Sequence, residues 1–75
     1  MESITFNAYE RDERGATGYK VYLKKEQVAT LEYRSHEWIA AVFEEGVITT
    51  FQSKCYFKAV AWIRLMIEKA HKKRE

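Results

Sequence analysis

Hydrophobic and polar residues alternate along the first two thirds of this chain and then give way to a helical spacing. Residues 3–9, Ser-Ile-Thr-Phe-Asn-Ala-Tyr, set Ile4, Phe6 and Ala8 on one side of an extended segment, which predicts a strand. Residues 10–18, Glu-Arg-Asp-Glu-Arg-Gly-Ala-Thr-Gly, are charged and glycine-bearing without a period and read as a mobile loop. Alternation resumes over 19–24 and 28–34, joined by Lys25-Glu26-Gln27. That connection places Leu23 against Ala29, Val21 against Leu31 and Tyr19 against Tyr33, with Lys20 opposite Glu32 and Tyr22 opposite Thr30. A five-residue connection keeps the same parity, because side chains alternate with a period of two.

A turn at Ser35-His36 pairs Arg34 with Glu37, Tyr33 with Trp38 and Leu31 with Ala40, and leads into a strand over 37–44. A second turn at Glu45-Gly46, where glycine accepts a positive φ, returns the chain as a strand over 47–52. Ser53 then offers an N-cap to a helix over 54–73, whose Ala59, Ile63, Met66 and Ala70 recur on one face beside Tyr56, Val60, Trp62 and Ile67. The fold class that follows is α+β: a four-stranded antiparallel meander, with 3–9 as a candidate fifth strand, and one C-terminal helix packed on one face. Residues 1–75 form a single domain in this reading. Short hairpins without crossover helices exclude a parallel α/β sheet.

The register sorts the sheet into two faces. One carries Tyr19, Val21, Leu23, Ala29, Leu31, Tyr33, Trp38, Ala40, Val42, Val47, Thr49 and Phe51, and the helix belongs on it, approaching closely over the small Ala29 and Ala40. The other carries Lys20, Tyr22, Lys24, Thr30 and Glu32 on its polar half and Val28, Ile39, Phe43 and Ile48 on its apolar half. An uncovered apolar patch on a soluble protein marks an interaction site, so Val28, Ile39, Phe43 and Ile48 are the candidate partner-binding residues. The competing expectation is that Ile4 and Phe6 fold across this face and cover it. Phe57, Ala61 and Leu65 also fall near the polar side of the helix, as scattered surface apolar residues commonly do.

Composition narrows the function. The chain is 47% hydrophobic and 15% aromatic, as a folding domain is, and its single cysteine leaves no intramolecular disulfide. No apolar run is long enough to span a bilayer and no signal-peptide layout opens the sequence, so a cytoplasmic protein without membrane contact is expected. Thirteen basic against eleven acidic residues give a net charge of +2, too balanced to predict nucleic-acid binding by itself. Cys55 stands in the first turn of the predicted helix, where a thiol can be activated, but His36 and His71 lie far from it in sequence and supply no base. Glu10, Asp12 and Glu13 lack the spacing of an EF-hand loop. Gly15-Ala16-Thr17-Gly18 matches the GXXG loop of KH domains in letters only, since that loop joins two helices and this one precedes a strand. No enzyme, cofactor or metal site is expected.

Two binding classes remain. Lys20, Tyr22 and Lys24 interleave a stacking ring with phosphate-binding charges, and Lys69, Lys72, Lys73 and Arg74 gather at the helix end, which together outline a nucleic-acid interface. A sheet followed by one helix resembles the DNA-binding layout of AP2 domains and integrase arm-type domains, over Tyr19 to Ile67 in topology. In size and plan the chain is also similar to small accessory proteins of phages and mobile elements, including anti-CRISPR inhibitors. The leading expectation is a noncatalytic protein-binding module, of regulatory or inhibitor type, that meets a protein partner or a second copy of itself through the open sheet face or a strand edge. Nucleic-acid binding is the alternative.

Overall fold

The computed structural model describes residues 3–73, with side chains through residue 70. Five strands follow one another in chain order across one antiparallel sheet: β1 (Ile4–Asp12), β2 (Gly15–Leu23), β3 (Glu26–Arg34), β4 (Glu37–Glu44) and β5 (Val47–Ser53). One helix, α1 (Tyr56–Lys73), packs on one face, mainly over β4 with β5 and β3 beside it. The chain is α+β. Among the described residues no helix is long and apolar enough to cross a membrane.

The two later hairpins follow from local chemistry. Arg34↔Glu37, Tyr33↔Trp38 and Leu31↔Ala40 pair across β3 and β4 as the alternation predicts. Ser35 and His36 both take positive φ, 52° and 66°, and so do Glu45 and Gly46, 49° and 80°, which matches the twist of a two-residue hairpin. β4 and β5 then pair without interruption from Glu44↔Val47 to Trp38↔Ser53.

The first half departs from expectation in four ways. Residues 10–18 are not a loop: β1 and β2 extend through them to a hairpin closed by Glu13-Arg14, where Asp12 Oδ1 accepts from Arg14 N–H at 2.8 Å. Two irregularities near Tyr9 and Glu10 offset each other, so Ala8↔Tyr19 and Arg11↔Ala16 belong to one register. β2 and β3 are joined by a turn at Lys24-Lys25, with Lys24 at φ 60°, and their register is displaced by two residues from the expected one: Tyr19 faces Leu31 and Lys20 faces Thr30. A bulge between Val21↔Ala29 and Tyr22↔Gln27 then turns Val28 onto the helix side, where it packs against the core. Lys24 accordingly stands in the turn and not on the open face.

The core unites Val21, Ala29, Leu31, Ala40 and Val42 from the sheet with Ala59, Ile63 and Ile67 from the helix. The three alanines let the helix backbone sit close, and larger rings fill the flanks. Phe51 stacks on Trp62 at 5.2 Å, while Tyr19, Trp38 and Tyr56 meet at the start of α1. Burial there pushes the Tyr56 hydroxyl up from its ordinary pKa, with the neighbouring Tyr19 hydroxyl adding to the effect.

The helix begins two residues later than the serine cap predicted. Ser53 Oγ accepts from Cys55 N–H at 3.0 Å, a local turn, and the Cys55 carbonyl accepts the first helical bond from Ala59 N–H at 3.2 Å. Cys55 is therefore the N-cap residue. Val47 and Thr49, expected under the helix, are exposed because α1 leaves the outer side of β5 uncovered.

Candidate functional site

β1 decides what the sheet exposes. Its pairing with β2 aligns Ile4 with Leu23 and Phe6 with Val21, and both Ile4 and Phe6 pack toward the helical core. The strand extends the sheet sideways and does not fold across it. The face opposite the helix consequently has no covering element among the described residues.

That face has two halves with different chemistry. On β4 and β5, Ile39, Ala41 and Phe43 share a side with Ile48, and Phe43 pairs directly with Ile48. Phe43 is 38% and Ile48 63% exposed, high values for neighbouring large apolar side chains. Of the four candidate partner-binding residues, Phe43 and Ile48 pair here and Ile39 lies on the same face further along β4, opposite Gln52, while Val28 is on the other side.

On β1, β2 and β3 a polar network fills the second half. Tyr9 O–H donates to Glu32 Oε2, and Arg34 Nη2 donates to Glu10 Oε1 at 2.7 Å while lying 3.5 Å from Glu32 Oε2. Lys20 Nζ sits 5.1 Å from the centroid of the Tyr9 ring, in reach of its π-face. Gly18, paired with both Glu10 and Glu32, is the floor of this cluster: its missing Cβ would lie 2.8 Å from Glu10 Oε1 and 3.1 Å from Tyr9 Cε1. The cations Lys20 and Arg34 balance the anions Glu10 and Glu32 within it.

The network shifts its own ionisation. The hydrogen bond to Glu32, then partial burial, then the negative charge of Glu32 push the Tyr9 hydroxyl up to about 12. The Arg34 guanidinium is held still more firmly protonated by its hydrogen bond to Glu10. A raised tyrosine pKa favours the folded state while the phenol is neutral, so this contribution is intact below the unfolded value near 10 and is lost as pH rises toward about 12. Because Tyr9 is 45% exposed, solvent reduces the size of the effect. Tyrosinate absorbance of wild type and Tyr9→Phe is expected to differ by a single group ionising near the top of the range. A difference curve centred near 10 would show that the Tyr9–Glu32 bond is absent in solution.

The nucleic-acid candidates do not converge. Lys20 and Tyr22 share the open face, Lys24 is in the β2–β3 turn, and Lys69 is exposed on α1. The side chains of Lys72, Lys73 and Arg74 lie outside the described residues. Among the described residues no three His, Cys, Asp or Glu side chains gather as a metal site would require. The clefts are shallow; one is bordered by Leu23, Val28, Val42, Phe43, Ile67 and Ala70, with Glu44 as its one charged neighbour.

Sequence reasoning missed Tyr9, Glu10 and Arg34 as a cluster: Glu10 was read into the loop 10–18, and Tyr9, the last residue of the expected first strand, had no partner strand to bring it beside Glu32 and Arg34. The available signal was Asp12-Glu13-Arg14-Gly15, with aspartate first and glycine fourth, a common turn order.

No protein-family model, curated protein or solved structure matches this chain. Its surface alone informs function. The AP2-like layout and the phage-accessory plan therefore gain no relative from which a role could be carried over.

Proposed function

We propose that this protein is a noncatalytic binding module of regulatory or inhibitor type, which recognises a protein partner through the uncovered sheet face at Ile39, Phe43 and Ile48. The observation that carries this reading is the exposed Phe43–Ile48 cross-strand pair, on a face that β1 leaves open. An exposed aromatic beside an aliphatic residue suits the desolvated centre of a protein interface, and the adjoining charged network suits its polar rim.

Charge balance favours this over nucleic acid. A phosphate-binding strip needs cations free to meet the backbone, whereas Arg34 is engaged by Glu10 and Glu32, and Lys20 lies over a tyrosine ring beside the same carboxylates.

Affinity capture from the cells that make the protein, with wild type, Phe43→Asp and Phe57→Asp as baits, tests the reading. Phe57 is 78% exposed on the outer side of α1 and serves as the control. A protein held by wild type and Phe57→Asp and lost, by at least about tenfold, with Phe43→Asp is expected, since interface aromatics often contribute 2 kcal/mol or more. Capture unaffected by Phe43→Asp would overturn the open-face assignment. A titration with single- and double-stranded nucleic acid, read by Trp38 and Trp62 fluorescence, is expected to show no binding at low salt; tight binding that falls steeply with salt would move the protein to the alternative class.

A further inference from the structure

The two outer strands of the sheet are built differently. β1 carries two register irregularities and the charged run Glu10, Arg11, Asp12, devices that discourage pairing with another chain. β5 has neither: Val47 to Ser53 pairs with β4 without a break, contains no charged residue or proline, and leaves Val47 61% and Ile48 63% exposed. Such an edge is a template for strand addition unless something occupies it.

Hairpin geometry says which main-chain groups are available. With a two-residue turn at Glu45-Gly46, Glu44 and Val47 exchange both hydrogen bonds, and so do the pairs at every second position. Val47, Thr49 and Phe51 thus turn their amides toward β4, and Ile48, Thr50 and Gln52 turn theirs outward.

Charge at the ends of this edge specifies the occupant. Glu44 and Glu45 precede the uncharged stretch and Lys54 follows it, with Glu45 and Lys54 exposed. A second copy laid antiparallel, with Thr50 opposite Thr50, sets Ile48 opposite Gln52 and Lys54 opposite Gly46. Lys54 of each copy then lies beside Glu45 of the other, at both ends, whereas a parallel arrangement would bring like charges together. We propose that two copies of this chain pair antiparallel along β5, about a two-fold axis at Thr50, to form one continuous sheet. The inference goes beyond the open-face reading: it concerns a different surface, the β5 edge, and a different occupant, a second copy of the chain. The bulged, charged β1 edges are left outermost, so assembly closes at two and does not propagate into a filament.

Sedimentation velocity across about 1 to 500 µM, roughly the range of weak to moderate association constants, measures the pairing. Wild type is expected to dimerise, and Thr50→Pro, which removes an outward amide and spares the β4 ladder, is expected to be a folded monomer. Lys54→Glu and Glu45→Lys should each weaken the dimer about tenfold, since each breaks two symmetric charge pairs, and the combined reversal should restore it. These charge variants keep the test decisive if Thr50→Pro fails to fold. In a Cys55→Ala background, Thr50→Cys should close a disulfide across the axis under mild oxidation, because directly opposed hydrogen-bonded residues stand about 5.5 Å apart at Cα; Gln52→Cys, which faces Ile48, should not.

A chain that stays monomeric throughout, or a dimer indifferent to both Thr50→Pro and Lys54→Glu, overturns the pairing. A dimer abolished by Phe43→Asp and untouched by the edge variants would be face-to-face; the pairing then falls and the open-face module stands. An edge-dependent dimer whose Phe43→Asp variant captures protein as well as wild type does the reverse.

Discussion

Truncating Ile63 to alanine is expected to lower stability by about 2–5 kcal/mol, enough to unfold much of the protein at room temperature. Ile63 is fully buried in a core whose other large, completely enclosed side chains are Leu31 and Val21. Its sheet-side and helix-side companions include Ala29, Ala40 and Ala59, which have no rotamers with which to fill the space that three missing carbons would leave. The void should therefore persist, and the upper part of the range applies. Against that stands a chain of 75 residues with one cysteine, hence no internal disulfide, for which a single core typically leaves only about 3–5 kcal/mol. Urea unfolding followed by Trp38 and Trp62 fluorescence reads the result as a lower midpoint at unchanged slope. Leu65→Ala, at a position 49% exposed, should stay within about 0.5 kcal/mol of wild type. A loss below about 1 kcal/mol at Ile63 would mean that the helix is not seated on the sheet. Protein concentration must be held constant, since pairing along β5 would add its own stabilisation by mass action.

The core was readable in the sequence because its signals are periodic. The 3.6-residue spacing of Ala59, Ile63, Met66 and Ala70 marked the side of α1 that faces the sheet, where Ala59 and Ile63 are fully buried and Met66 and Ala70 half-buried, and matched charges and rings at Arg34/Glu37 and Tyr33/Trp38 marked a register that the structure has. What periodicity cannot express is an interruption of the period. The bulge at Val28 moves one residue between faces without altering the alternation on either side, and Val28 was accordingly assigned to the wrong surface. Residues 10–18 are charged, glycine-bearing and interrupted by irregularities at Glu10, so they show no hydrophobic period although both strands continue through them. The apolar half of the open face lies on β4 and β5, which pair regularly, and it was legible; the polar half is held across irregular strands, and its central residues were not. Whether that face is covered depends on where β1 goes, a long-range choice that no local pattern encodes.

Gly18→Val is the sharpest test of the polar half. Glycine inside a strand is ordinarily a weakness, and valine there should help by restricting the unfolded chain and favouring extended backbone. Gly15 is a different case, since its φ of 130° disfavours any other residue even though nothing lies within 4 Å of its would-be Cβ. Gly18 has no such backbone demand, and the obstacle is space: a Cβ would approach Glu10 Oε1 to 2.8 Å, Glu10 Cβ to 3.1 Å and Tyr9 Cε1 to 3.1 Å. The carboxylate end of Glu10 can swing away, but its Cβ is tied to the β1 backbone, so relief requires the strand itself to shift. Steric strain of this kind costs about 1–3 kcal/mol and should exceed the gain in strand propensity. The displacement also separates Glu10 from Arg34 and draws the Tyr9 ring away from Glu32. Two readouts should therefore move together: a lower urea midpoint, and a Tyr9 ionisation that falls from about 12 toward the ordinary value of 10. Stability lost with the Tyr9 ionisation unchanged would place the strain elsewhere in the sheet. A stabilised Gly18→Val would mean that the side chains of Tyr9 and Glu10 do not rest over this strand at all, and that the polar half of the open face is solvated charge and not a network.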